Sequence, residues 1–177
     1  MKLLFLFLLS LLVVSDIYSA QVNGFNLITK QIVSLKKQEK PIRVYYFISS
    51  KCPCSQAHFD HLNDLQKMYP QFEFVGFHSN KSAKRKNAIK HFEQYKIDFP
   101  IIEDQGLVFA NQFKAVKTPH VYVLGKDDQV IYQGGATNSR NPKRAKKFYL
   151  KEVLLALSKG EKSPYKVNKT LGCYIER

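Results

Sequence analysis

The sequence predicts an α/β domain with a mixed central sheet flanked by helices, and three observations carry that expectation. The segment Ile42-Arg-Val-Tyr-Tyr-Phe-Ile48 is apolar on both alternating faces, as a central strand covered above and below must be. A helical pattern opened by Pro53 follows almost at once, and residues 72–77 form a second apolar run after it. Residues 121–124 and 129–132 then flank Gly125-Lys-Asp-Asp128, which reads as a hairpin. Strand, helix, strand requires a parallel pair joined by a crossover, and the hairpin closes the sheet in the antiparallel sense.

The elements follow in order. Residues 1–20 have a basic start at Lys2, an apolar stretch from Leu3 to Val14 broken only by Ser10, and small residues at Ser19-Ala20. That is the layout of a cleaved secretory signal, and its apolar run is short for a membrane span. Phe25, Leu27, Ile28, Ile32 and Leu35 recur at near-helical spacing and predict a leading amphipathic helix, with a polar break over 36–40. After the first strand, Phe59, Leu62, Leu65 and Met68 line one face of a helix that Pro70 ends. Residues 82–95 read as a basic helix with Ile89, Phe92 and Tyr95 turned inward, 99–102 as a short extended piece, and 107–113 as a short helix. Phe148, Leu150, Val153, Leu154 and Leu157 give a last helix, stopped at Gly160. The organisation is therefore a leader (1–20), one domain (21–160) and a polar tail (161–177) that carries Cys173.

The chain holds three cysteines, Cys52, Cys54 and Cys173, all beyond the leader. An odd number in an exported chain leaves at least one thiol free or exchanging, which favours redox work over a purely structural framework. The net charge is +14, with basic clusters over 81–86 and 140–147. Neither cluster is interleaved with aromatic residues or carries a nucleic-acid-binding signature, so both read as solvated surface and no nucleic-acid partner is expected.

Cys52 lies directly after a buried strand and directly before a helix. Helix N-terminal amides favour an anion there, and Lys51 adds a neighbouring charge, so a reactive thiolate is expected over a buried packing residue. Here a resemblance enters. Tyr45-Tyr-Phe-Ile-Ser-Ser-Lys-Cys-Pro-Cys resembles the strand and active-site turn of the thioredoxin superfamily, and Thr118-Pro119 resembles the threonine and cis-proline loop that faces the active cysteine in that fold. Ile131-Tyr-Gln-Gly-Gly135 and Leu171-Gly-Cys-Tyr-Ile175 look like an exported bacterial branch of redoxin, AhpC/TSA-type proteins. The resemblance implies a thioredoxin-like fold and a partner chain bound along Thr118 and Pro119.

The departures matter as much. Ser55 stands where thioredoxins carry their second cysteine, and Tyr46 stands where they carry a buried acid. That leaves Cys54 and Cys173 as the candidate resolving thiols, with a tail stapled to Cys54, or a free Cys173, as the competing reading. Peroxiredoxins use Pro-x-x-x-Thr-x-x-Cys. Here Ser49 takes the threonine position and Tyr45 replaces the proline, while Arg85, Arg140 and Arg144 cannot be assigned from spacing.

The expected function is thiol–disulfide exchange in a periplasmic or secreted compartment, with Cys52 as nucleophile, Cys54 or Cys173 resolving, and peroxide reduction as an extension. Its partners would be protein thiols or disulfides and an unidentified electron donor, with no cofactor, no metal and no stable membrane span after signal cleavage. The alternative is a copper metallochaperone that uses Cys52, Cys54 and a histidine, His58 or His120, because thiolate and imidazole suit Cu(I) or Zn(II). His61, His78 and His91 read as ordinary surface or strand-edge residues.

Overall fold

The computed structural model describes residues 22–35 and 40–177, so the expected leader and residues 36–39 of the polar break lie outside the described residues. The described residues do not open with a helix. The predicted helical segment is a hairpin of β1 (Val22–Asn26) and β2 (Gln31–Leu35), paired from Val22 with Leu35 to Asn26 with Gln31. The turn explains the difference. Buried Asn26 accepts the Ile28 N–H at 2.9 Å through its side chain, and Lys30 adopts a left-handed φ of 59°. An asparagine bonded to its own following backbone favours a turn over a helix. Ile32, which helical spacing would bury, is 84% exposed.

The centre of the molecule matches expectation. β3 (Arg43–Ile48) leads to α1 (Pro53–Met68) and then β4 (Glu73–His78), which pairs parallel with β3 from Arg43–Glu73 to Ile48–His78. α2 (Arg85–Phe92) is shorter than its basic pattern suggests, and β5 (Ile101–Glu103) adds a further parallel strand beside β4. α3 (Val108–Gln112) follows. Next come β6 (Lys117–Thr118), the cis peptide at Thr118–Pro119, and the hairpin of β7 (His120–Leu124) with β8 (Val130–Gly134). α4 (Tyr149–Ser158) precedes a tail that ends in β9 (Cys173–Tyr174). The main sheet has the order β2-β1-β5-β4-β3-β7-β8, so the mixed sheet with a closing hairpin is present, extended by the unforeseen β1–β2 hairpin.

The strand period of two divides β3 between two cores. Val44, Tyr46 and Ile48 pack with Phe59, Leu62 and Leu65 of α1, Phe92 of α2 and Val153 and Leu154 of α4. Tyr45 and Phe47 face the other way, toward Phe77, Ala110, Tyr122 and Ile175 from the tail. Met68 is not part of the helix stripe, being 52% exposed in the last turn of α1.

On the second face α3 is held by one acid. The buried Asp104 carboxylate accepts the Phe109 and Ala110 N–H groups at 2.8 and 2.9 Å and the Ser79 hydroxyl at 2.6 Å. Those amides belong to the first turn of α3, which no helical carbonyl can satisfy. Asp104→Ala leaves the buried Ala110 and Ser79 donors and the half-buried Phe109 N–H unpaired, so it should lower unfolding free energy by about 2–4 kcal/mol in urea titrations. Asp104→Asn keeps an acceptor and should lose less. Equal midpoints for wild type and the alanine variant would show that this acid does not anchor α3.

Candidate functional site

The site starts from the turn between β3 and α1. Ser55 is fully buried, and its hydroxyl accepts the Ser49 N–H at 3.2 Å. The Cys52 N–H donates to the Ser49 carbonyl at 3.1 Å, so the residues around the missing second cysteine serve to fix this turn. Cys52 is the N-cap of α1 in an extended conformation, with Pro53 at the first helical position, and its sulfur faces the Ser55 amide.

The tail completes the site. From α4 the chain runs beside β8, where the Asn168 N–H donates to the Gln133 carbonyl at 3.0 Å. It passes close over Gly134, where a Cβ would stand 2.7 Å from the Asn168 carbonyl oxygen and where φ is +153°. β9 then pairs antiparallel with β6, setting Cys173 opposite Thr118 and Tyr174 opposite Lys117. Only glycine fits at 172, because a Cβ there would run into the Thr118 carbonyl, 2.7 Å from its carbon. The outcome is a sulfur-to-sulfur approach of 2.7 Å between Cys52 and Cys173 with no bond between them, and a 3.1 Å contact from the Cys52 thiol to the Thr118 carbonyl.

Cys54 joins them. All three sulfurs lie within 4.8 Å of one another. Thr118 and cis Pro119 border the same place, so the structure gathers every site residue that the sequence singled out, Cys52, Cys54, Cys173, Thr118 and Pro119. It does not gather the histidines. His58 bonds the Cys54 carbonyl through Nδ1 at 2.8 Å, and His120 lies against the Tyr122 ring, 4.5 Å between centroids; neither belongs to the thiol cluster. His78 is buried rather than superficial and bonds the Ser50 hydroxyl at 2.9 Å.

The electrostatics separate the thiols. Burial pushes Cys52 up. Hydrogen bonds to its thiolate from Cys173, from the otherwise unpartnered Thr118 hydroxyl and from the Ser55 and Cys173 amides outweigh that and draw it down to about 7. Cys173 is pushed up by burial, by the hydrogen bond it gives Cys52, and by the charge on its two neighbours. Cys54 is also raised, by burial first and then by the Cys52 charge, with Arg140 opposing. Lys51 does not supply the expected charge; its ammonium reaches Ser82 at 2.5 Å and Glu176 at 4.0 Å instead. Tyr46 is fully buried with its hydroxyl unpartnered, so nothing replaces the acid of the thioredoxin pattern. Gly172 and the packing of Ile175 escaped sequence reasoning, since only the folded tail brings them here, and Arg140, unassignable from spacing, lies near Cys54.

A domain-family model matches residues 23–176, and the chain belongs to that family, described as Domain of unknown function (DUF6436). No curated protein matches. Among solved structures it is similar to an uncharacterized conserved protein from Geobacillus kaustophilus, at 25% identity and a TM-score of 0.80, covering 90% of this chain and 89% of that one. A hypothetical protein from Sinorhizobium meliloti 1021 aligns at 19% identity and a TM-score of 0.77, over 89% and 91% of the two chains. A secreted Mycobacterium tuberculosis disulfide oxidoreductase homologous to Escherichia coli DsbE aligns at 18% identity and a TM-score of 0.55, covering 71% of this chain and 87% of its own. The fold is thioredoxin-like. Among the described residues no helix is long and apolar enough to cross a membrane.

A lowered Cys52 pKa has a definite sign. Its alkylation rate should rise as pH passes through about 7 and level off above, whereas Cys54 and Cys173 should stay slow until well above that pH. Because the folded value lies below the unfolded one, the thiolate adds stability above the ordinary thiol range, lost as pH falls through about 7. Cys173→Ala removes a donor and should move the Cys52 midpoint upward in peptide-mapped alkylation. An unchanged midpoint would mean that the Ser55 amide and Thr118 suffice alone.

Proposed function

We propose that this DUF6436 protein is a thiol–disulfide oxidoreductase in which Cys52 attacks and Cys173 resolves. The observation that carries the reading is the 2.7 Å approach of the Cys173 sulfur to Cys52, delivered by a strand paired with Thr118. The Cys52 thiolate attacks one sulfur of a substrate disulfide, that S–S bond breaks, and the far sulfur departs as a thiolate. Its charge then no longer sits beside Cys173. Because that charge and the hydrogen bond to it hold the Cys173 proton in place, the first step itself makes the second thiol more acidic. Cys173 then attacks the Cys52 sulfur, the bond from Cys52 to the substrate breaks, and the Cys173 proton ends on the half that leaves, which is released as a thiol. Two electrons pass to the substrate, the protein keeps a Cys52–Cys173 disulfide, and an electron donor must reduce it again. In reverse the same steps oxidise a dithiol.

Cys54, raised and beside the pair, is the alternative resolving thiol. Peroxide reduction of the AhpC/TSA kind would use the same cysteines, through a Cys52 sulfenic acid that condenses with Cys173 and releases water. Disulfide exchange is the stronger reading because the Ser49 hydroxyl already accepts the Lys51 and Asn80 N–H groups, at 3.2 and 3.4 Å, rather than serving a peroxide. Work in an exported, oxidising space fits the leader-like start and the secreted Mycobacterium tuberculosis relative.

A second reading rests on the three sulfurs within 4.8 Å, which suit trigonal thiolate coordination of Cu(I) or Zn(II) and replace the expected histidine by Cys173.

Cys52→Ser should abolish turnover of a dithiol-dependent disulfide substrate. Cys173→Ser should slow it by roughly 100-fold, because resolution then loses its intramolecular advantage, and should accumulate mixed disulfides at Cys52. Cys54→Ser should retain most activity; if it traps mixed disulfides instead, Cys54 is the resolving thiol. The metal reading makes its own demand: the reduced protein binds one Cu(I) against a competing chelator, each cysteine variant weakens binding, and His58→Ala and His120→Ala do not. Full activity in Cys52→Ser would refute the oxidoreductase reading.

A further inference from the structure

A protein disulfide can react with Cys52 only if it reaches the sulfur, and in this structure it does not. Cys52 is 3% exposed, with Cys173 directly against it. The backbone beside it, Lys117–Thr118, is taken by the tail. What holds the tail is read residue by residue. Gly172 lies against the Thr118 carbonyl, where no side chain fits. Cys173 meets Cys52. Tyr174 turns outward, 76% exposed, with the Lys117 ammonium 4.8 Å from its ring centre. The Ile175 N–H donates to the Val116 carbonyl at 3.0 Å and its side chain is buried in the core of the second face. Glu176 accepts the Lys81 N–H at 3.1 Å through its carbonyl and the Ser82 hydroxyl through its carboxylate. Arg177 bonds the Ala115 carbonyl at 2.6 Å.

We infer that the tail is a resident imitation of the substrate: it shields Cys52 in the resting protein, and it gives way to an extended protein segment with the same pattern, Gly-Cys-x-aliphatic-acidic. This rests on the reading that Cys52 exchanges disulfides with proteins. Each position of the pattern has its physical reason above. A glycine must precede the reacting cysteine because the Thr118 carbonyl leaves no room for a Cβ. An aliphatic residue two places on fills the Ile175 site, and an acid after it meets Ser82 and Lys51. Release is feasible because the pairing is a ladder of two residues, too short to be stable alone. The substrate attaches while the tail is off, and the returning tail brings Cys173 to the mixed disulfide and takes back the edge. Resolution and product release then become one movement.

The test uses the reduced full-length protein. Gly172→Ala should unseat the tail and, compared at a pH above the ordinary thiol range so that Cys52 is ionised in both proteins, speed its alkylation, read by peptide mapping, by about tenfold or more, as expected when a shielded group needs local opening. The same variant should react about tenfold faster with a Leu-Gly-Cys-Tyr-Ile-Glu peptide, activated as its thiopyridyl mixed disulfide, than with the Leu-Ala-Cys-Tyr-Ile-Glu peptide, a discrimination of the size expected from one steric clash at a binding position. On the unaltered protein, an excess of Leu-Gly-Ser-Tyr-Ile-Glu should displace the tail and accelerate Cys52 alkylation, and its alanine counterpart should not. Equal alkylation rates in wild type and Gly172→Ala, with no acceleration by the serine peptide, would overturn the shield. Equal peptide rates would overturn the pattern. Shielding and peptide preference without catalytic turnover in the presence of dithiothreitol would support the edge and its occupant while refuting the oxidoreductase reading.

Discussion

The pairing of Cys173 with Thr118 is the constraint on which the rest of the site depends. It is a short antiparallel contact, yet it fixes three things together. It sets the tail sulfur against Cys52, it covers the turn at the start of α1, and it uses up the backbone edge next to cis Pro119. The sheet supplies the other half of the geometry. β3 carries Cys52 to the edge of the molecule at its C-terminal end, and β7, antiparallel to β3, brings Thr118 and Pro119 to the same end from the opposite direction. Two strands that meet head to tail place a thiol and a peptide edge side by side without any dedicated loop.

The same contact divides proton affinity between chemically identical groups. A single thiolate is favoured among three clustered sulfurs, and Cys52 holds it because it alone stands at the N-cap position of α1 and is stabilised by the surrounding donors. Its charge then keeps Cys173 protonated. The order of reactivity is thus built from helix capping and mutual repulsion, with no carboxylate: Tyr46, in place of the acid, is sealed among Phe74 and Phe99. Ser55 in place of the second cysteine has also changed task, from chemistry to holding the Ser49 backbone.

Much of this was legible in the sequence, for identifiable reasons. β3, α1, β4 and the β7–β8 hairpin have strong periodicity and unambiguous punctuation at Pro53, Pro70 and Gly125. The site cysteines and the Thr118-Pro119 loop were legible because short motifs flank them. The start is not legible as a hairpin because Phe25, Leu27, Ile28, Ile32 and Leu35 satisfy a helical spacing by accident, against which Asn26 is a turn former. The tail reads as a polar end with one motif because β9 has two residues and no periodicity of its own. Its position is a tertiary fact, set by Gly172, Ile175 and Glu176 meeting surfaces more than fifty residues away in the chain. A glycine before a cysteine says nothing until the Thr118 carbonyl is seen against it.

The basic charge also gains a place. In the sequence the clusters over 81–86 and 140–147 read as solvated surface, and they are far apart. In the fold, one end of each comes to the thiols. The Lys81 amide and Ser82 hold Glu176, with the Lys51 ammonium 4.0 Å from its carboxylate, and Arg140 is near enough to bear on the ionisation of Cys54. Arg140 beside Cys54 and Lys51 beside the Glu176 position give the rim of the site a positive charge that favours an acidic side chain there. Glu176 of the tail already exploits that charge. Charge and short-range fit therefore meet in adjacent residues of the segment that now covers the edge, Glu176 answering the first and Gly172 and Ile175 the second.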